Sequence, residues 1–165
     1  MGITSNIDFA DLNDRFNRLI VEIDAQIVDM LHRIGQEAVT AAKNVPSDIG
    51  FKDQTGNLRS SIGYIIFKDG VPLETFFNKV KNGTEGVKTG EKFAEEVGKG
   101  HKEGYLLVVV AGMNYAIYVE SKGRDVLTTG ELTAKKELAR HQADMVKNVK
   151  DAIKILFKEF GLPTI

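Results

Sequence analysis

The chain has no cysteine. Disulfides, thiolate zinc sites and thiol catalysis are excluded together, and the composition fits a reducing compartment. An excess of charge of one sign is also missing: 22 Lys and Arg stand against 23 Asp and Glu, a formal net charge of -1. Such a balance lacks the cation excess that drives non-specific nucleic-acid binding, and it offers no general attraction to anionic lipid. Long hydrophobic runs are absent too. The longest unbroken one, Leu106 to Ala111, falls far short of the ~20 residues that span a bilayer. Met1 to Asn6 shows no basic stretch ahead of an apolar core, so no signal peptide is expected.

What is present is the make-up of an ordinary folded protein, 42% hydrophobic and 27% charged, and 165 residues suit a single domain over 1–165. Asp8 to Lys43 predicts one long helix, with apolar residues every three or four positions from Phe9 through Phe16, Ile23 and Ile27 to Ile34. Ser5 or Asn6 is the expected cap, with Asp8 and Asp11 near the positive end of the dipole; Asn44-Val45-Pro46 stops the helix. At roughly 50 Å it exceeds what a compact domain of this size needs. Unless Gly35 divides it, one end packs on something other than its own domain.

Ser47 to Gly56 reads as a loop and Ser60 to Phe67 as a strand. Tyr105 to Ala111, apolar and mostly β-branched, reads as a central strand buried on both faces. Gly112-Met113-Asn114 predicts a turn into a third strand, Tyr115 to Ser121, forming an antiparallel hairpin. Thr128 and Glu131 have capping-box spacing, and an apolar stripe predicts a helix from Glu131 to Phe160, closed by Gly161 and Pro163. The first helix carries 7 acids and 4 bases, the last 5 acids and 7 bases, a bias that suits packing side by side. Between the strands, residues 69–104 read as an inserted flexible segment that projects from the sheet and is ordered mainly by a partner, with short helices at Val71 to Val80 and Glu91 to Val97. The fold class is α+β: a long N-terminal helix, a small, mainly antiparallel sheet of about three or four strands with an inserted loop segment, and a long C-terminal helix.

No catalytic, cofactor or metal site is predicted. His32, His101 and His141 do not share the spacing of a zinc helix. Ser60-Ser61 has no nearby His to activate it, and Glu95, Glu96 and Glu103 lie where nothing would desolvate them. The glycines at 83, 86, 90, 98, 100 and 104 lack the strand-to-helix context of a phosphate cradle and read as flexible loop. Two stretches carry more. One is Thr55-Gly56-Asn57-Leu58-Arg59-Ser60-Ser61-Ile62; the other is Tyr115-Ala116-Ile117-Tyr118-Val119-Glu120, with Gly123-Arg124 behind it. Their backbone punctuation, aromatics and charges are the chemistry of an interface. Arg59 and Glu120 are either solvated strand charges, paired across the sheet, or, with Arg124, directed contacts to a neighbouring subunit. In a strand Tyr115 and Tyr118 would face opposite sides, one towards the core and one towards a partner.

In this order, between two long helices, the two stretches resemble a family of minor tail components of long-tailed bacteriophages, often called gene-product-ten-like and linked to tail completion and the head–tail joint. Thr55, Gly56, Leu58, Arg59, Ser61 and Ile62 match its T-G-x-L-R-x-S-I pattern; Tyr115, Ala116, Tyr118, Val119, Glu120 and Gly123 match its Y-A-x-Y-V-E strand and following glycine. Pro46 lies further from Thr55 than the family pattern has it, and the 69–104 insertion looks longer. The resemblance implies a non-enzymatic virion structural protein of a phage or prophage, without cofactor, assembled in the bacterial cytoplasm as a ring homo-oligomer at the top of the tail tube. Its partners would be itself and neighbouring neck, tail-tube or tail-terminator proteins, with passive DNA passage and no membrane. Thr55, Gly56, Leu58, Arg59, Tyr115, Tyr118, Glu120 and Arg124 would form the subunit and partner interface. The alternative is a helix-mediated protein–protein adaptor unrelated to virions.

Overall fold

The computed structural model describes residues 8–163. Its elements are α1 (Phe9–Lys43), α2 (Asn57–Ser60), β1 (Ile62–Lys68), β2 (Val71–Phe77), α3 (Thr84–Gly98), β3 (Tyr105–Ala111), α4 (Ala116–Ser121) and α5 (Thr128–Glu159). This is the α+β arrangement expected. The described residues divide into two compact units, 8–30 with 139–163 and 31–138.

The expected caps Ser5 and Asn6 lie outside the described residues. Asp8 itself caps α1, its Oδ1 accepting from the N–H groups of Ala10 at 2.9 Å and Asp11 at 3.2 Å. Gly35 does not divide the helix. Its missing side chain makes room for the Tyr64 ring, which would lie 2.8 Å from a Cβ at that position.

The sheet order is β2-β1-β3, antiparallel throughout, so β1 is central and β3 lies at an edge. This corrects the expected central placement of Tyr105 to Ala111. Ile62, Tyr64 and Ile66 on one face of β1 are buried, as are Ile34, Ala38 and Ala42 of α1, and Gly35 of α1 meets the Tyr64 ring. The other face joins Ile65 and Phe67 to Val108, Val110 and Ala94 of α3 in one cluster. Tyr64 is fully buried, stacks on Phe76 at 5.2 Å, and places its hydroxyl 2.9 Å from His32 Nδ1, which is 2.8 Å from Glu74 Oε2. Burial, then the Glu74 charge, raises the Tyr64 hydroxyl to about 12.

Residues 71–77 form a strand where a helix was expected. Its backbone bonds to β1, with a bulge opposite Ile66/Phe67, and its side chains are mostly exposed, which is why no apolar pattern announces it. The second expected helix is longer, α3 rather than 91–97 alone. Read from sequence as loop, Gly86, Gly90 and Gly98 are buried along one side of α3. A Cβ at Gly86 would lie 2.0 Å from the Asn57 carbonyl oxygen, at Gly90 2.6 Å from the Phe77 ring, and at Gly98 2.2 Å from the Phe67 ring. These glycines bring the helix backbone close to α2 and the sheet.

In the unit of residues 8–30 and 139–163, Arg15 pairs with Glu159 at 2.8 Å and lies over the Phe160 ring, and Phe16 meets Phe157 edge-on at 6.2 Å. Here the opposite charge bias of the helices is realised, and being exposed the pair contributes only about 0.2–1 kcal/mol.

Candidate assembly surface

The first of the two stretches folds as a brace. Asp53, which sequence reading passed over, accepts from Gly56 N–H at 2.9 Å and Arg59 N–H at 3.0 Å, opening α2. Gly56 has φ 88°, and a Cβ there would lie 2.1 Å from the Val80 carbonyl oxygen. Both conformation and space therefore demand glycine. Leu58, Ser60 and Ser61 are buried. Val80 N–H donates to Ser60 Oγ at 2.8 Å, and Gly86 N–H to Asn57 Oδ1 at 3.2 Å. The Ser61 hydroxyl donates to the Leu58 carbonyl at 2.8 Å and accepts from Met113 N–H at 3.3 Å. Both hydroxyls serve the backbone, which is structural rather than nucleophilic work.

Arg59 lies in α2, not on a strand. Its guanidinium sits 5.2 Å above the Phe51 ring. Its Nε and the Nζ of Lys43, at the end of α1, are both shielded from solvent and have no hydrogen-bond partner among the described residues. Burial, then the Arg59 charge, lowers the Lys43 amine to about 8. Two neighbouring cations are thus held without an acceptor for either atom.

The second stretch is a helix, correcting the expected strand over 115–121. Gly112 N–H donates to the Ser61 carbonyl at 3.0 Å, which anchors the turn on β1 instead of folding it back along β3. Ala116 N–H then bonds Met113 O at 2.9 Å and Val119 N–H bonds Tyr115 O at 3.0 Å. This local ladder overrides the strand propensity of the tyrosines and Val119. Tyr115 and Tyr118, three apart on a helix, lie on one side rather than on opposite faces. Neither is core: Tyr115 is 38% exposed and Tyr118 62%. Burial, then the Asp53 and Glu85 charges, raises the Tyr115 hydroxyl. The two stretches are tied together just ahead of α4, where Gly112 N–H and Met113 N–H donate to the Ser61 carbonyl and hydroxyl.

Glu120 and Arg124 serve the chain itself. Glu120 Oε1 accepts from Thr128 N–H at 3.1 Å and Thr128 Oγ1 at 2.6 Å, at the start of α5. Thr129 donates its N–H and hydroxyl to Asp125. The expected capping box is therefore replaced: Thr128 donates, Glu131 pairs with Lys135, and two carboxylates take the positive end of the helix. A charged acceptor is stronger than a hydroxyl there. Arg124 Nη1 donates to the Asp48 carbonyl at 2.6 Å. Glu120 and Arg59 are thus not a cross-sheet pair.

No helix among the described residues is long and apolar enough to cross a membrane. Comparison with curated proteins and with solved structures gives no match. The family model described as "Bacteriophage HK97-gp10, putative tail-component" matches residues 10–121, from the first turn of α1 to the last residue of α4. That span holds both stretches and more than half of the chain, which belongs to this family of phage tail components.

Proposed function

We propose that the chain is a non-enzymatic virion structural protein that forms a ring at the neck of a long-tailed phage or prophage, completing the tail and joining its tube to the head. The observation that carries this reading is the convergence of both family stretches on one surface. Leu58, Ser60 and Ser61 are buried and brace the fold, whereas Tyr115, Ile117 and Tyr118, on the element tied to Ser61, are exposed. Exposed aromatic side chains of this kind anchor interfaces. Arg59 as a whole is half-buried, and a carboxylate from a neighbouring subunit would meet the exposed part of its guanidinium in the geometry that group favours. A contact of one patch with a different surface of the next subunit closes a ring when the rotation allows. In this reading Thr55, Gly56 and Leu58 shape the patch, Arg59, Tyr115 and Tyr118 touch the neighbour, and Glu120 and Arg124 hold α4 in place. The other partners are neck and tail-tube or tail-terminator proteins, and DNA passes without specific contact.

The test is Arg59→Glu in the phage or prophage that carries the gene, with particles imaged by negative stain. The expected result is a folded variant by circular dichroism and separate heads and tails. Joined virions in wild-type number would overturn the proposal.

A further inference from the structure

The lysines in the second half of α5 are not spread around the helix. Lys147, Lys150, Lys154 and Lys158 follow one another at intervals of three, four and four residues. At 3.6 residues per turn these intervals place all four within an arc of about 80°, and Arg140 falls on the same line two turns earlier. Over residues 139–160 only Ala143 shares that arc with them, and no acid does. The arc lies opposite the side that packs. Leu156 is buried and Met145, Val149 and Ala152 are half-buried, whereas the four lysines and Arg140 are exposed. The four ammonium groups thus form a stripe about 16 Å long.

A solvated helix face ordinarily interleaves both signs, with acids and bases three or four residues apart. Here Lys150, Lys154 and Lys158 repeat one sign at every fourth position, which by itself destabilises a helix. The neighbouring acids do not relieve it. Glu159 is taken by Arg15, and Asp144 and Asp151 border the arc without an ion pair to any of the four among the described residues. The helix dipole accounts for Lys158 alone, because its pull fades beyond the last turn. The overall charge of -1 conceals the stripe, since the acids that balance it lie in other parts of the chain.

We propose that this face of α5 binds the phosphate backbone of double-stranded DNA without regard to sequence. A duplex carries one negative charge for about every 1.7 Å of its axis, with condensed counterions that each docking lysine releases. Four ammonium groups in a row gain from that release together, whereas an exposed pair with a single carboxylate is weak. Residue type agrees. Lysine is a compact point charge on a flexible stem, and none of the four is the planar Arg that suits a directed carboxylate contact. A lipid surface fits less well, because a helix in a membrane interface sets large apolar side chains opposite its cations. Opposite these lysines Met145, Val149 and Leu156 are turned into the packing of the chain itself. Single-stranded nucleic acid is bound on aromatic platforms, and the arc carries no aromatic residue. The inference goes beyond the ring reading and does not rest on it, since one helix face of one subunit suffices.

The experiment measures binding of the full chain to a fluorescent duplex of mixed sequence by anisotropy, in salt from about 50 to 200 mM. Lys150→Gln combined with Lys154→Gln removes two charges from the stripe. Glutamine is a good helix former and both positions are exposed, so circular dichroism should not change. Lys88→Gln combined with Lys92→Gln, exposed on α3, removes the same net charge elsewhere. For wild type, log K against log salt should fall with a slope of about -3 to -4, and a second duplex of unrelated sequence should bind equally well. The α5 variant should lose about 2 of that slope and bind at least about tenfold more weakly at the lowest salt, while the α3 variant binds like wild type. A wild-type slope shallower than about -2, an α5 variant that binds like wild type, or an α3 variant equally impaired would overturn the proposal. Tighter binding at equal salt to poly-glutamate or to phosphatidylserine vesicles would also overturn it, in favour of an acidic protein or a membrane. Should the α5 variant lose its fold, the wild-type slope and those two competing ligands decide.

Discussion

Lys43→Met should stabilise the protein. The ammonium of Lys43 is shielded from solvent, has no hydrogen-bond partner among the described residues, and sits within the field of Arg59. Burial and that neighbouring cation lower its pKa from 10.5 to about 8. A lowered lysine pKa means that the fold disfavours the charged form. Below pH 8 the amine is protonated in both states and the folded chain bears the full penalty. Between 8 and 10.5 the unfolded chain binds the extra proton, so this term of stability rises with pH. Because the side chain as a whole is only partly buried, solvent screening reduces the penalty to about 1–2 kcal/mol at neutral pH. Its place in the last turn of α1 offsets only about 0.3–1 kcal/mol through the helix dipole. Methionine keeps the aliphatic stem and removes the charge. The expected gain at pH 7 is about 1 kcal/mol, or a melting temperature higher by about 2–4 °C for a chain of this size. Urea titrations of both proteins at neutral pH and near pH 9.5 measure it, and the advantage of the variant should shrink at the higher pH. A variant less stable at neutral pH, or a difference independent of pH, would refute the reasoning.

Three further substitutions separate bracing residues from surface ones. Gly56→Val places a β-branched side chain at φ 88° against the Val80 carbonyl and should cost more than about 2 kcal/mol in a denaturant titration. Gly90→Ala drives a methyl group to 2.6 Å from the Phe77 ring and 2.7 Å from the Ser61 carbonyl; a loss of about 1–3 kcal/mol is expected. Glu120→Gln removes the charge that caps α5, so thermal melts should show a loss of about 0.5–1 kcal/mol, while oligomer mass is retained.

The long helices were legible because their period is local. Phe9 to Ile34 repeats every few residues whatever lies opposite. Elements fixed by distant partners were harder to read. The strand at 71–77 exposes its side chains and exists through its bonds to β1, so Phe76 and Phe77 suggested a helix instead. The glycines of α3 looked like loop because their purpose, close approach to Asn57, Phe77 and Phe67, lies in other parts of the chain. Residues 115–121 have strand-forming side chains, but the bond from Gly112 to Ser61 sends the chain into a helix. In the same way Glu120 and Asp125 displaced Thr128 as the cap of α5. At the candidate surface, Arg59 and the tyrosines were readable by chemistry and by family pattern. Lys43 and Phe51 were not, since only the fold brings them to Arg59. Asp53 left one signal, an aspartate three residues ahead of a turn glycine, the spacing of a side-chain cap.

The most direct measurement of the central claim is the mass of the purified full chain by multi-angle light scattering, alone and mixed with its neck and tail-tube neighbours, with negative-stain images of each species. The account predicts closed rings at one defined multiple of the subunit mass. A chain that remains a monomer or a simple pair at every concentration, even with those neighbours present, would contradict it.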